Sequence, residues 1–198
     1  MRALAAVLLL ILPIRSALGQ WFVGLEAGVA AYGGSARDTS NGSGGGPPNF
    51  HPGAATMFGI RVGRDIGRWT ASLRAMMGAP GLAASGPDLT VTDHTLGGLV
   101  EVTPAAAFRV VAVGPTGAVK VEVGPTVAFW NLGDEIRARL AGRAALTYEW
   151  PVTGHLGGAI RVDGAIGPSW FDPGDLPAEY ERRATWRYGA TLGLQYRL

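Results

Sequence analysis

The chain has 198 residues, with 17 Lys and Arg against 15 Asp and Glu, three His, 31 Gly and no Cys. Without cysteine there is neither a disulfide framework nor a thiolate metal site. The near-neutral balance offers no footprint for nucleic acid, whose binding by counterion release needs a concentrated basic surface.

The chain opens MRALAAVLLLILPIRSALGQ: a basic Arg2, an apolar run from Ala3 to Ile14, then Ala17 and Gly19 at the spacing a leader peptidase requires. We read residues 1–19 as a secretory signal peptide cut before Gln20 and residues 20–198 as one domain. Pro13 and Arg15 break the apolar run before the about 20 residues a transmembrane helix needs. Losing Arg2 and Arg15 with the leader takes 17 basic residues to 15, equal to the acidic count, so the basic pI of 9.3 belongs to the leader.

From Trp21 onward the pattern has period 2, the signature of strands whose side chains point alternately to two faces. Trp21, Val23, Leu25, Ala27, Val29 and Ala31 alternate with Phe22, Gly24, Glu26, Gly28, Ala30 and Tyr32. Phe58, Ile60 and Val62 then oppose Met57, Gly59, Arg61 and Gly63, and Trp69, Ala71, Leu73 and Ala75 oppose Thr70, Ser72 and Arg74. A fourth segment, 95–113, sets Val100, Val102, Ala106, Phe108 and Val110 against Glu101, Thr103, Ala105 and Arg109, with Leu99 and Val111 breaking the rule. In the fifth, Val119, Val121, Val123, Val127 and Phe129 share a face against Lys120, Glu122, Gly124 and Thr126. Segments around 140–150 and 156–166 repeat the alternation, and the last closes the chain with Tyr188, Ala190, Leu192, Leu194, Tyr196 and Leu198 on one face. That makes eight strands.

The connections sort by length. Those around 65–67, 114–117 and 151–154 are tight, whereas 33–52, 78–94, 131–137 and 171–183 are longer. Short turns at one end, long loops at the other and an even strand count predict an all-β, eight-stranded antiparallel up-and-down transmembrane β-barrel. In such a barrel the charged face is interior, so Glu26, Arg61, Arg74, Glu101, Arg109, Lys120, Glu122, Arg143, Glu149, Arg161, Asp163 and Arg187 are expected to form a structural charge network in the lumen. Trp21, Trp69, Trp150 and Tyr196 at the short-turn end, with Phe58, Phe129, Trp170 and Trp186 toward the long loops, are expected as aromatic girdles, since amphipathic rings favour bilayer interfaces. Trp186 to Tyr196 spans ten residues, a rise of roughly 25 Å at the tilt of a membrane strand. The hairpin at Gly114-Pro115-Thr116-Gly117 is expected to pair Val113 with Ala118 and so place Arg109 opposite Glu122.

On these residues the chain resembles the small outer-membrane β-barrels of Gram-negative bacteria, the OmpA, OmpX and OmpW-like group. The resemblance covers the whole of 20–198 and implies a bacterial outer-membrane location. It also implies contact with outer-membrane lipid and lipopolysaccharide, and handling by the barrel insertion machinery through the last strand. We expect a monomer with a structural or surface-interaction role, with transport of small hydrophobic compounds as the OmpW-like alternative. Lipid A-modifying enzymes share the architecture. A triad of His94, Ser85 and Asp88 or Asp93 can be drawn on the second long loop, but loops rich in Ser, Asp and Gly yield such sets by chance. No catalytic residue, cofactor or metal is expected, and His51, His94 and His155 read as solvated rim residues.

Overall fold

A computed structural model describes residues 20–39, 49–86, 90–93, 97–114, 117–131 and 135–198; the leader, His94 and Asp88 lie outside them. Every regular element among these residues is a strand: β1 (Gln20–Asp38), β2 (Asn49–Pro52), β3 (Ala55–Ile66), β4 (Trp69–Gly78), β5 (Leu82–Ser85), β6 (Thr90–Asp93), β7 (Gly98–Val113), β8 (Gly117–Asn131), β9 (Ile136–Pro151), β10 (Leu156–Gly167) and β11 (Tyr180–Arg197).

Eight of them form the barrel. The order β1, β3, β4, β7, β8, β9, β10, β11 is antiparallel throughout, and β11 returns to pair with β1 from Phe22↔Arg197 to Asp38↔Tyr180. Closure removes the free edges that an open sheet would expose. The remaining three are short pieces on the long-loop side. The end of β1 passes from β3 to β2 (Ala36↔Phe50), β2 pairs with β5 and β5 with β6, so the sheet runs past the ring as a small outer ledge. Breaks between the ledge and the barrel centre on glycines. Gly81 and Gly97 have φ of 68° and 95°, which favours glycine, and a Cβ on Gly53 would come within 2.3 Å of the Pro80 carbonyl oxygen.

The two faces are inverted relative to a soluble protein. Leu25 and Leu192 on the outside are 67% and 62% exposed, whereas Arg74 and Arg161 inside are each 1% exposed. Water cannot be the solvent that selects such a surface; hydrocarbon can. The lumen has two storeys. The outer one holds an apolar cluster of Tyr32, Met57, Met76, Leu99, Trp130 and Trp170, which accounts for Leu99 breaking the alternation. Below it, toward the short turns, the interior is charged.

The β7–β8 register corrects one expectation. Val113 pairs with Gly117, one residue nearer the turn than expected, and a shift between Arg109 and Val111 adds a second step. This bulge leaves Val110 without a partner. Two steps preserve the faces but move the partners, so Glu122 opposes Ala107 and Arg109 opposes Lys120.

Candidate functional site

The charged storey is built by alternation: every second residue on β1, β3, β4, β7, β8, β9, β10 and β11 reaches the axis, and the narrow lumen forces them together. Glu26 accepts hydrogen bonds from Arg74 Nε and Arg161 Nη1, each at 2.5 Å. Glu122 takes Arg61 at 2.5 Å and Arg143 at 2.8 Å, with Arg161 Nε 3.9 Å away. Asp163 bridges Arg143 at 3.2 Å and Arg187, and Arg187 Nε reaches Glu101 at 3.2 Å. Nearer the short turns, Lys120 holds Asp65 at 2.9 Å and Glu149 at 3.0 Å. Hydroxyls add to the shell: Arg61 donates to Ser72 Oγ at 3.0 Å and Arg161 Nε to Thr147 Oγ1 at 3.1 Å.

Eleven of the twelve residues expected in the lumen are buried there, each in at least one ion pair: Glu26, Arg61, Arg74, Glu101, Lys120, Glu122, Arg143, Glu149, Arg161, Asp163 and Arg187. The twelfth, Arg109, is only half-buried and lies at the short-turn mouth, where the bulge has shifted it away from Glu122. Asp65 joins the network on the face that Arg61 and Gly63 set, two residues beyond the stretch of alternation read from the sequence.

At the outer end, a segment after β10 folds into the mouth. Ser169 Oγ donates to the Ser35 carbonyl at 2.8 Å, and Arg139 donates to the carbonyls of Ser169 at 3.1 Å and Trp170 at 3.2 Å. Trp170 is thereby inserted against Trp130, with ring centroids 5.5 Å apart, and Trp130 meets Tyr32 edge-on at 5.8 Å. Trp170 is 5% exposed, so it is a plug inside the mouth and not part of an outer girdle. Its segment has no strand periodicity from which its direction could be read. Phe58, Phe129 and Trp186 do lie exposed toward the outer end, and Trp69 and Tyr196 toward the short turns, while Trp21 and Trp150 are half-buried. Beside the plug is a cavity of about 50 Å³ lined by Tyr32, Glu101, Trp130, Arg139, Trp170 and Arg187. The Tyr32 hydroxyl and Trp170 Nε1 are buried there without hydrogen-bond partners.

The opposite mouth is a polar basin of about 260 Å³, lined among others by Asp65, Arg68, Arg109, Lys120, Glu149 and Arg197.

On the ledge, Ser85 hydrogen-bonds His51 across the strands, while His94 and Asp88 of the triad drawn on the second long loop lie outside the described residues. The His51 Nδ1–H donates to the Pro52 carbonyl at 2.8 Å, which leaves Nε2 to accept from the Ser85 hydroxyl at 2.8 Å. The two residues are 34 apart in sequence, and no local motif joins them. His155, at the other end, donates from Nδ1 to the Arg197 carbonyl at 3.1 Å and stacks on Tyr196. Among the described residues, no group of three His, Asp or Glu is placed to hold a metal ion.

The fold is that of the small eight-stranded outer-membrane β-barrels. Neisserial surface protein A superposes with a TM-score of 0.56 over 90% of this chain and 97% of its own, at 10% identity. The outer-membrane protein AlkL, determined by solid-state NMR in lipid bilayers, gives the same TM-score over 94% of each chain at 12% identity. At such identities the likeness is one of fold. No family model matches the sequence, and no curated protein matches it.

Proposed function

We propose that the chain is a monomeric outer-membrane barrel with a structural and surface-interaction role, carried to the membrane by the leader 1–19 and the barrel insertion machinery. The observation that carries this reading is the sealed lumen. Glu26, Glu122 and Asp163 each gather arginines from different walls and fill the axis with paired charge. Opening a path would strand buried guanidinium groups, at several kcal/mol per ion. A barrel closed in this way works by what it presents outside: the ledge of β2, β5 and β6 and the Arg-bearing outer ends of β1, β9 and β11, for contact with lipopolysaccharide or another surface. The His51–Ser85 pair serves to tie β2 to β5, and no catalytic activity is assigned to it.

Reconstitution in planar bilayers tests the seal: no steady ionic conductance is expected, and a stable open conductance would overturn the reading. Labelling of Ser85 by a fluorophosphonate would overturn the non-catalytic assignment. The OmpW-like alternative, passage of small hydrophobic compounds, is favoured by one observation only, the apolar outer storey with its cavity and unpartnered Tyr32 and Trp170 donors. Uptake of an apolar solute that depends on this barrel, and is lost on filling the cavity by Ala128→Phe, would favour it.

A further inference from the structure

The basin at the short-turn mouth holds more cations than carboxylates: Arg68, Arg109, Lys120 and Arg197 against Asp65 and Glu149. Its carboxylates are Asp65 and Glu149, and both are taken by Lys120; Glu149 also has Arg197 at 3.6 Å. Arg68 and Arg109 are left over. Among the described residues neither has a carboxylate within ion-pair distance, and their guanidinium groups reach only backbone carbonyls: Arg68 to that of Arg109 and Arg109 to that of Gly67, both at 3.5 Å. Two cations therefore stand side by side without counter-ions. They are held there by the chain itself, because the Arg109 N–H donates to the Arg68 carbonyl at 2.8 Å and fixes the β3–β4 turn against the bulge of β7.

Their position relative to the apolar belt indicates what supplies the missing charge. The Arg68 guanidinium lies 5.0 Å from the centre of the Phe108 ring, and Phe108 packs on Trp69 at 4.9 Å. Trp69, Ile66 and Val110 are exposed on the outer face beside it. Apolar surface thus runs directly into an unpaired cationic pair at one level of the wall. A free anion would use the cations and ignore the belt; an amphiphile with an anionic head uses both. Arginine forks suit phosphate oxygens, and the level is that of headgroups when the belt lies in lipid.

We infer that Arg68 and Arg109, with Trp69 and Phe108 beneath them, form a binding site for an anionic phospholipid of the leaflet on the short-turn side. The phosphate is held by the two guanidinium groups, and an acyl chain lies along Trp69 and Ile66. The inference rests on the reading of the chain as a membrane barrel. Failure of that reading would show separately, as a chain that stays soluble and monodisperse without detergent.

Native mass spectrometry of the folded barrel in dodecyl maltoside, titrated with phosphatidylglycerol or with phosphatidylcholine of the same acyl chains, tests it. Wild type is expected to retain phosphatidylglycerol in preference by on the order of thirtyfold, about fivefold for each of the two interfacial arginines. Arg68→Gln with Arg109→Gln should abolish the preference, and Arg183→Gln at the outer end should leave it intact. Should the double variant not fold, Arg68→Gln alone, whose side chain is exposed, should still lower it by about threefold to fivefold. Equal retention of the two lipids by wild type, or a preference undiminished by loss of Arg68, would overturn the site. Displacement of the lipid by millimolar inorganic phosphate would show that a free anion is the ligand, which also overturns it.

Discussion

Pro104 of β7 stands directly opposite Pro125 of β8. The register fixes this, with Val102↔Val127 on one side, Ala106↔Val123 on the other and the pairing interrupted between. Neither residue has an N–H, so the two hydrogen bonds such a pair would exchange are both missing from the wall. The backbones nonetheless stay close: a Cβ on Gly124 would come within 2.2 Å of the Pro104 carbonyl oxygen. Pro104→Ala with Pro125→Ala should restore donors on both strands and raise stability by about 0.5–1.5 kcal/mol per bond, less the entropic benefit of proline in the unfolded chain. Gly124→Ala should instead force the strands apart and lower it. Urea unfolding in detergent measures both, and identical shifts for the two changes would contradict this account.

Glu122 is the hub of the charged storey, with Arg61 and Arg143 as direct partners. Glu122→Ala leaves their guanidinium groups buried without it, and a loss of about 3–5 kcal/mol is expected. Adding Arg61→Ala should cost little more, because the stranded charge goes with it, whereas Arg109→Ala should add independently to Glu122→Ala. A double-mutant cycle by chemical denaturation separates the two cases; coupling of Arg109 and not of Arg61 would mean the network is wrongly connected.

Trp170 is held by both packing and backbone. Trp170→Ala should cost about 3–5 kcal/mol, as for a buried large aromatic. The charged storey lies below it and stays closed, so ionic conductance should remain absent. Thermal melts followed by circular dichroism, with bilayer recordings of the same variant, check both halves. Conductance on removal of Trp170 alone would make the plug, and not the charge network, the seal.

The segment that carries Trp170 has a pH-dependent anchor. Arg137 hydrogen-bonds the Asp175 carboxylate and holds its pKa below the ordinary carboxylate value. A depressed acid contributes its stability above the unfolded pKa and loses it as pH falls through the folded one, so the anchor is complete at neutral pH, begins to weaken near the ordinary carboxylate value of about 4 and is lost below the depressed one. The pair is partly exposed, which keeps the effect in the range of a surface ion pair, about 0–1 kcal/mol. Hydrogen exchange across 168–175 should quicken at about pH 3 relative to neutral pH, after correction for intrinsic rates. In Asp175→Asn the protection should be lower at neutral pH and should lack that step.

Period-2 alternation made the ring legible because lipid outside and charge inside impose opposite chemistry on successive residues, as at Leu25 and Glu26 or Leu192 and Thr191. It failed where the strand departs from period 2. The bulge beside Val110 shows in the sequence only as Val111 breaking the alternation, which does not give the shifted register, and it carried Arg109 away from Glu122. The breaks at Gly53, Gly81 and Gly97 turned the outer ends of three strands into separate pieces, which hid the ledge and the approach of His51 to Ser85. Trp170 lies beyond the end of β10, and only Arg139 and Ser169, through contacts with backbone carbonyls, decide that it turns inward.

The reach of Glu26 has a consequence for how such a chain enters a membrane. Its partners lie on β4, 48 residues away, and on β10, 135 residues away. A partly zipped sheet that contains β1 but lacks β10 leaves Arg161 and half of Glu26 uncompensated, and such charge is costly in hydrocarbon. The cost disappears only when the last strands arrive beside the first. Insertion is thereby made cooperative over the whole chain, and a barrel with a missing or misregistered strand is rejected by its own interior before it can settle in the bilayer.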